Sequence, residues 1–284
     1  MSRWSTLKLK ARVAMDGGAF EVDLARPVSL AVELDFAGPQ PRHFNAPRAS
    51  SRPFAVPGFA GSVADGASCN CEVLSLIPHC NATHTECVGH LTRERLDAWR
   101  VVPAQPLPAV VLSVSPQSAG AARESTDPAP ELHDLLITRE TLARAWPERA
   151  PFAALALALR TLPNGPDKRT RDYSDGTAPY LTRAAAEWLV ARGILHLIVD
   201  LPSIDRAHDQ GRLTAHRIFF GLPPGSTRLA DAARPGATVT ELAFIPEAVK
   251  DGAYLCQLQV PAIGGDAVPS RPLLYPLAAS TRAA

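Results

Sequence analysis

Residues 181–200, LTRAAAEWLVARGILHLIVD, read as a helix that runs directly into a buried strand. Thr182 is placed to cap the helix. Ala185, Trp188 and Leu189 recur at helical spacing and form its inner stripe. Gly193 suits the left-handed position that ends a helix. Ile194 to Val199 then form a short apolar run of strand length. A strand buried on both faces needs strand neighbours and a covering layer, so the chain is expected to be α/β. Asp200 to Asp205 follow the carboxyl end of that strand, where α/β sheets commonly place functional groups.

The rest of the chain is expected to supply those neighbours. Leu7, Leu9, Ala11 and Val13 alternate with Lys8, Lys10 and Arg12, the pattern of a half-buried strand. Phe20 to Leu24 and Val28 to Leu34 read as two more strands, giving an antiparallel opening. Ala109 to Val114 and Leu135 to Ile137 are short apolar runs fit for buried strands. Thr138 can cap a helix over RETLARAW, which Pro147 stops. Phe152 to Leu159 is apolar throughout and reads as a central strand, and Tyr254 to Ile263 as a late one. Pro is concentrated at 38–57, 103–116 and 223–235, which read as ordered loops and edge connections. The expected architecture is one domain over 1–284 with a mixed sheet, its β-rich halves flanking one or two βα units.

Hydrophobic residues make up 46% of the 284 and charged residues 20%, enough for a sizeable core. The net charge is +1, with Lys and Arg scattered, so neither a phosphate backbone nor an anionic membrane is called for as a partner. Lys168, Arg169 and Arg171 read as a solvated loop. No apolar stretch approaches the ~20 residues of a membrane span, and the N-terminus lacks the apolar core of a signal peptide. A cytoplasmic location and a small-molecule substrate are expected. The five cysteines then read as thiols, some of them candidate ligands.

Ligand chemistry is concentrated in residues 79–90, HCNATHTECVGH, which hold three of the eight histidines and two of the five cysteines. Taken as extended chain, Cys80, Ala82, His84, Glu86, Val88 and His90 share one face. A thiolate, an imidazole and a carboxylate on one face suit zinc or another borderline divalent ion. Cys87 would point away as a buried thiol, and His79 would need a bulge to join the set. The spacing is not that of a zinc finger or of H-E-x-x-H. Cys69 and Cys71 read as loop or core thiols. His43, His133, His196 and His208 read as structural or surface residues; His216 and Glu241, in later segments, could complete the ligand set.

These residues resemble a known family. THTECVGH resembles the signature H-x-G-T-H-x-D-x-P-x-H of the putative cyclase family, which includes bacterial kynurenine formamidase (arylformamidase). GTAPYLTRAAAEWLVARGILHLIVDLPSID resembles its helix–strand–SID segment, and TAHRIFF its A-H-x-x-L segment. VTELAFIPEAVKDGAYLCQLQVPAIGGDAVPSRPLLY resembles its C-terminal segment, which ends in G-x-D-x-x-P-x-R. The matches occur in the family's order and extend to near residue 276.

The resemblance implies the swivelling β/β/α fold and a site for one or two zinc ions, with manganese as an alternative. By position, His84 matches a metal-binding histidine, Glu86 the bridging aspartate and His90 the catalytic histidine. His216 and Glu241 match two later ligands, and Asp205 is the SID aspartate, expected to organise its loop. The first signature histidine is His79 with one inserted residue or Cys80 without a gap; residue type favours the former and the strand face the latter. Ala82 replaces the signature glycine and Val88 its proline, and a Pro/Gly-rich insertion separates His216 from Glu241. The implied activity is hydrolysis of a formamide or small amide by activated water, as in tryptophan catabolism, by a homodimer or higher oligomer. Hydrolysis of a lactone or cyclic amide, a cyclisation, and a non-catalytic metal-binding role are the alternatives.

Overall fold

The structure is a computed structural model and describes residues 8–16, 18–147 and 152–279. A hairpin, β1 (Lys10–Met15) and β2 (Gly18–Asp23), leads to a short β3 (Val28–Ser29). A projecting arm of four strands comes next: β4 (Ser50–Pro53), β5 (Ala55–Val56), β6 (Phe59–Ala60) and β7 (Glu72–Ser75). Then come α1 (Pro78–Asn81), β8 (His84–Cys87), a 3-10 turn over Val88–Leu91, and α2 (Ala98–Val101). The middle of the chain holds β9 (Leu107–Val114), β10 (Gln117–Ser118), β11 (Leu135–Ile137), α3 (Arg139–Ala145) and β12 (Ala156–Thr161). β13 (Tyr180–Leu181), α4 (Arg183–Ala191), β14 (His196–Val199) and α5 (Thr214–Phe220) follow. The chain closes with β15 (Thr238–Glu241), β16 (Gly252–Gln259), β17 (Ala267–Pro269) and β18 (Arg271–Ala279).

Eleven strands among the described residues form one mixed sheet, in the order β1-β2-β18-β16-β9-β12-β14-β15-β8-β17 with β3 beside β18. Its centre, β9-β12-β14-β15, is parallel, and the strands on both sides are antiparallel. Parallel neighbours need crossovers, and α3, α4 and α5 lie in the three that connect them. The α/β class and the mixed sheet are as expected, with three crossovers where one or two were read.

Alternation in the central strands divides the core. Val110, Leu112, Leu157, Leu159, Leu197 and Val199 face α3, α4 and α5, meeting Leu142, Leu189 and Phe219. Ala109, Val111, Ala156, Ala158 and Ile198 face the other way, onto Leu30, Ile245 and Cys256. Each large aliphatic chain buried this way contributes roughly 1.5–3 kcal/mol. α3 starts at a reciprocal cap between Thr138 and Thr141, and α4 at the Thr182 hydroxyl, which accepts from the Ala185 N–H. Gly193 has φ 76° where α4 ends.

Several expected boundaries move. Val28 to Leu34 pairs as a strand only at Val28–Ser29, because Leu30 turns into the core and the Val32 N–H bonds the Thr83 hydroxyl. The central strand begins at Ala156, not Phe152, and runs on to Thr161. The strand after Gly193 begins at His196, and the late strand ends at Gln259, before Pro261. Leu7 lies outside the described residues. Lys168 is no solvated loop residue: its ammonium is buried, bonding the Asp200 carboxylate at 2.7 Å, the Thr161 carbonyl and the Thr161 hydroxyl. Cys69 and Cys71 are exposed on the arm. No helix among the described residues is long and apolar enough to cross a membrane.

Candidate metal centre

The site forms where the parallel strands end and β8 runs back against them. β15 pairs antiparallel with β8, so Glu241 stands opposite His84. His84 and Glu86, two residues apart on a strand, share the face toward the site. Thr85 and Cys87 take the other face: Thr85 meets the Thr240 hydroxyl at 2.7 Å, and Cys87 donates to the Leu96 carbonyl. Pro78 opens α1 and supplies His79, the 3-10 turn supplies His90, and α5 supplies His216. Asp266 lies just before β17, the other neighbour of β8.

The side chains converge on Glu86. His79 Nδ1 lies 3.0 Å from one Glu86 oxygen and His216 Nε2 lies 2.8 Å from the other. Glu241 lies 3.4 Å from His216 Nε2 and 3.5 Å from His84 Nε2. Two sets of donor atoms result, His79/Glu86/His90 and His84/Glu86/Glu241, each within a 4.8 Å span. Glu86 belongs to both. Behind these donors stand two further carboxylates. Asp205 accepts from His216 Nδ1 at 2.8 Å, and Asp266 accepts from His79 Nε2 at 2.9 Å and His90 Nδ1 at 3.1 Å. His84 Nδ1 donates to the Ala82 carbonyl at 3.0 Å. Each of these bonds leaves the opposite ring nitrogen for the centre.

The donor set fits a metal on its own chemistry. His84 Nε2, His216 Nε2 and both Glu86 oxygens are buried without a hydrogen-bond partner, close as they are to one another. Lone pairs face lone pairs, and only a proton or a cation between them makes that stable. The charges say the same. Burial alone would push Glu86 up, but His216 and His90 hold it well below the usual carboxylate range. Burial pushes His79 down, yet its bond to Asp266 and the Glu86 carboxylate beside it bring it up to about 10. Burial likewise opposes His216, whose attraction to Glu86 and bond to Asp205 raise it well above its ordinary value. Burial and Glu86 raise Glu241, while His216 and His84 bring it below normal overall. Without a metal, protons on the histidines must balance these carboxylates; a divalent ion would do so directly.

The structure brings together His79, His84, Glu86, His90, His216 and Glu241. Cys80 is not among the converging donors. It is buried in α1, where burial and then Glu241 push its thiol up. The extended reading of 80–90 fails there because Pro78 starts a helical turn, in which neighbours point roughly 100° apart. Extended chain is confined to 84–87, Val88 enters the core, and His90 reaches the centre from the 3-10 turn. Asp205 organises its loop and α5 as expected, accepting from the Ala215 and His216 N–H groups.

Sequence reasoning missed Asp266 and His43. Asp266 carried a signal, since it is the aspartate of the G-x-D-x-x-P-x-R segment. His43 carried none; it is buried and lines the cleft over the metal centre together with Phe44, Ser203 and Arg206. The cleft is compact, about 70 Å³. A larger cavity of about 340 Å³ adjoins α5 at Thr214, Arg217 and Ile218 and reaches none of the converging donors.

Fold and site together describe an α/β protein with a largely buried cluster of histidines gathered around the Glu86 carboxylate. Residues 22–206, well over half of the chain, match the family described as Putative cyclase, and the chain belongs to that family. Among solved structures it is similar to a potential metal-dependent hydrolase with cyclase activity, at 15% identity and a TM-score of 0.57, over 88% of this chain and 97% of that one. It is also similar to isatin hydrolase A from Labrenzia aggregata, bound to benzyl benzoate, at 18% identity and a TM-score of 0.54, over 88% and 93%. A third likeness is to a protein described as a predicted metal-dependent hydrolase from Bacillus stearothermophilus, at 15% identity and a TM-score of 0.54, over 88% and 98%. A search of curated protein sequences finds no match.

Proposed function

We propose that this protein is a metal-dependent hydrolase of small amides, cleaving the carbonyl–nitrogen bond of an N-formyl aryl amine or of a cyclic amide such as isatin. The observation that carries the reading is the pair of donor sets sharing Glu86 beneath a compact cleft. His79, His84, Glu86, His216 and Glu241 would hold one or two ions, and an all-nitrogen-and-oxygen set suits zinc, with manganese as the alternative. When bound, the metal lowers the pKa of water and polarises a carbonyl.

The chain's own groups supply the proton transfers. Asp266 accepts the His90 Nδ1–H, which leaves the Nε2 lone pair toward the cleft in the state of a general base. His90 takes a proton from water there and returns it to the leaving nitrogen. Asp205 holds His216 in the matching tautomer. The second reading, hydrolysis of a lactone or of a cyclic amide alone, draws on the small volume of the cleft, which favours compact rings.

Elemental analysis of the purified protein, followed by a panel of formanilide, isatin and a simple lactone, tests the proposal. Bound metal with turnover of an amide is expected. His90→Ala is expected to keep the metal and lose about 10²–10⁴-fold in rate. A metal-free, inert protein would overturn the reading. Metal loss in His90→Ala, reversed by excess zinc, would make His90 a ligand.

A further inference from the structure

One loop, 209–214, stands between the metal cleft and the cavity of about 340 Å³ beside α5. That volume falls within the roughly 300–1,000 Å³ of small-molecule sites. Leu213 lines the metal cleft, while its neighbours Arg212 and Thr214 line the larger cavity. The loop carries backbone strain. Gln210 has φ 59° and Leu213 φ 48°, the left-handed region that residues other than glycine seldom adopt. Asp209 holds it there, its carboxylate accepting the Gly211 N–H at 2.8 Å and the Leu213 N–H. The Thr214 hydroxyl donates to the Asp127 carbonyl at 2.6 Å, which ties a second wall to α5. Strain of this kind gathers at ligand clamps and switches.

The lining has a definite chemistry. Three arginines, Arg183, Arg212 and Arg217, face one carboxylate residue, Asp127, an excess of two positive charges in a chain of net charge +1. Protein partners do not consume that charge. Among the described residues the Arg212 guanidinium has no hydrogen bond or ion pair, and Arg183 reaches only Glu187, at 3.9 Å. Arg217 is held still. Its Nε donates to the Arg212 carbonyl at 3.1 Å and its Nη1 to the carbonyls of Pro223 and Ser226, which leaves Nη2 without a partner in the chain. A guanidinium already fixed in place loses little freedom on binding. Ile218 and Leu222 add apolar surface. Arginine donors match the geometry of a carboxylate, and the apolar side chains match a hydrocarbon body. A metal cation is repelled here, and inorganic phosphate would leave the apolar surface uncovered.

We propose that this cavity is a second ligand site, for a small organic anion: a carboxylate or sulfonate head on a compact apolar body. The arginines take the head, and Ile218 and Leu222 take the body. The proposal does not rest on the hydrolase reading, because none of the converging metal donors lines the cavity.

Binding of 4-fluorobenzoate to the zinc-loaded full chain, followed by fluorine NMR, tests this. Acetohydroxamate is added in excess to occupy any metal centre, so that a carboxylate held by metal is displaced. The 4-fluorobenzoate is expected to stay bound, at least tenfold tighter than the neutral 4-fluorobenzyl alcohol. Acetate and inorganic phosphate are expected to compete at least tenfold more weakly than unlabelled benzoate. Arg183→Gln and Arg212→Gln are each expected to weaken binding about fivefold, and the double variant about twentyfold. Both side chains are exposed, so the Tm is expected to stay unchanged. Ile218→Trp fills the cavity and is expected to abolish binding; if that variant unfolds, the arginine variants decide alone. Displacement by acetohydroxamate would place the anion at the metal centre and overturn the proposal. So would equal binding of the neutral analogue, equal competition by phosphate, absence of binding, or affinity unchanged in the double arginine variant.

Discussion

Asp205 shows how one side chain sets the chemistry of another. One of its oxygens accepts the Ala215 N–H at 2.7 Å, and the other accepts both the His216 N–H and the His216 Nδ1–H. The bond to Nδ1 fixes the tautomer, so the Nε2 lone pair faces Glu86 and Glu241. Asp205→Asn keeps the shape but offers an amide N–H where an acceptor is needed. It is expected to weaken metal binding about 10–100-fold, read by competition with a chelator. Unchanged affinity would mean that His216 is not a ligand. Asp266 plays the corresponding part for His79 and His90, from 187 and 176 residues away in the chain. His84, Glu86 and His90 could be picked out from the sequence because they sit together in one short stretch. Asp205 and Asp266 act through histidines, and nothing in their own neighbourhoods identifies which ones. His43 was harder still: a buried histidine that lines the cleft looks, in sequence, like any other.

At the scale of elements, the lesson lies in α1 and β8. Alternation correctly put His84 and Glu86 on one face and Cys87 on the other, because those four residues pair with β15 and β17 on both sides. The same rule chose Cys80 over His79, because it was carried into a segment that Pro78 turns helical. Helix signals travelled better. Thr138, Thr182 and Gly193 each stand at the expected end of a helix, since capping depends only on residues a few positions away. Gly193 allows a sharp test. A methyl group there would meet nothing within 4 Å, so Gly193→Ala introduces backbone strain without a clash. With φ at 76°, the substitution is expected to cost about 1–2 kcal/mol, the left-handed penalty of an ordinary residue. Urea unfolding measures this directly. A neutral or stabilising result would show that the end of α4 relaxes into another turn.

Across the whole molecule, the parallel centre was legible because strands buried on both faces appear as nearly continuous apolar runs, as at Ala109–Val114, interrupted only by Ser113, and Ile194–Val199, interrupted only by His196. The pairing of β8 with β15 and β17 was not, since register between segments over 150 residues apart leaves no local mark. That central layer also contains His196, a titratable group inside β14 that makes the fold sensitive to acid. Burial, and then the charge of Arg234, push its pKa down to about 4. In the unfolded chain the value is about 6.5. The group is neutral in both states at pH 7.5 and costs nothing there. As the pH falls below 6.5 the unfolded chain takes up a proton that the fold refuses until about pH 4, so stability is lost across that window. The loss attributable to His196 at pH 4.5 is about 2–3 kcal/mol. His196→Gln removes the titration and keeps a polar partner for Thr238. Urea unfolding of both proteins at pH 7.5 and 4.5 is expected to show a smaller acid loss in the variant by that amount. Metal release and the other carboxylates respond to acid alike in both proteins, so they cancel in the difference. Equal acid losses would mean that the fold accommodates the charged imidazole within β14.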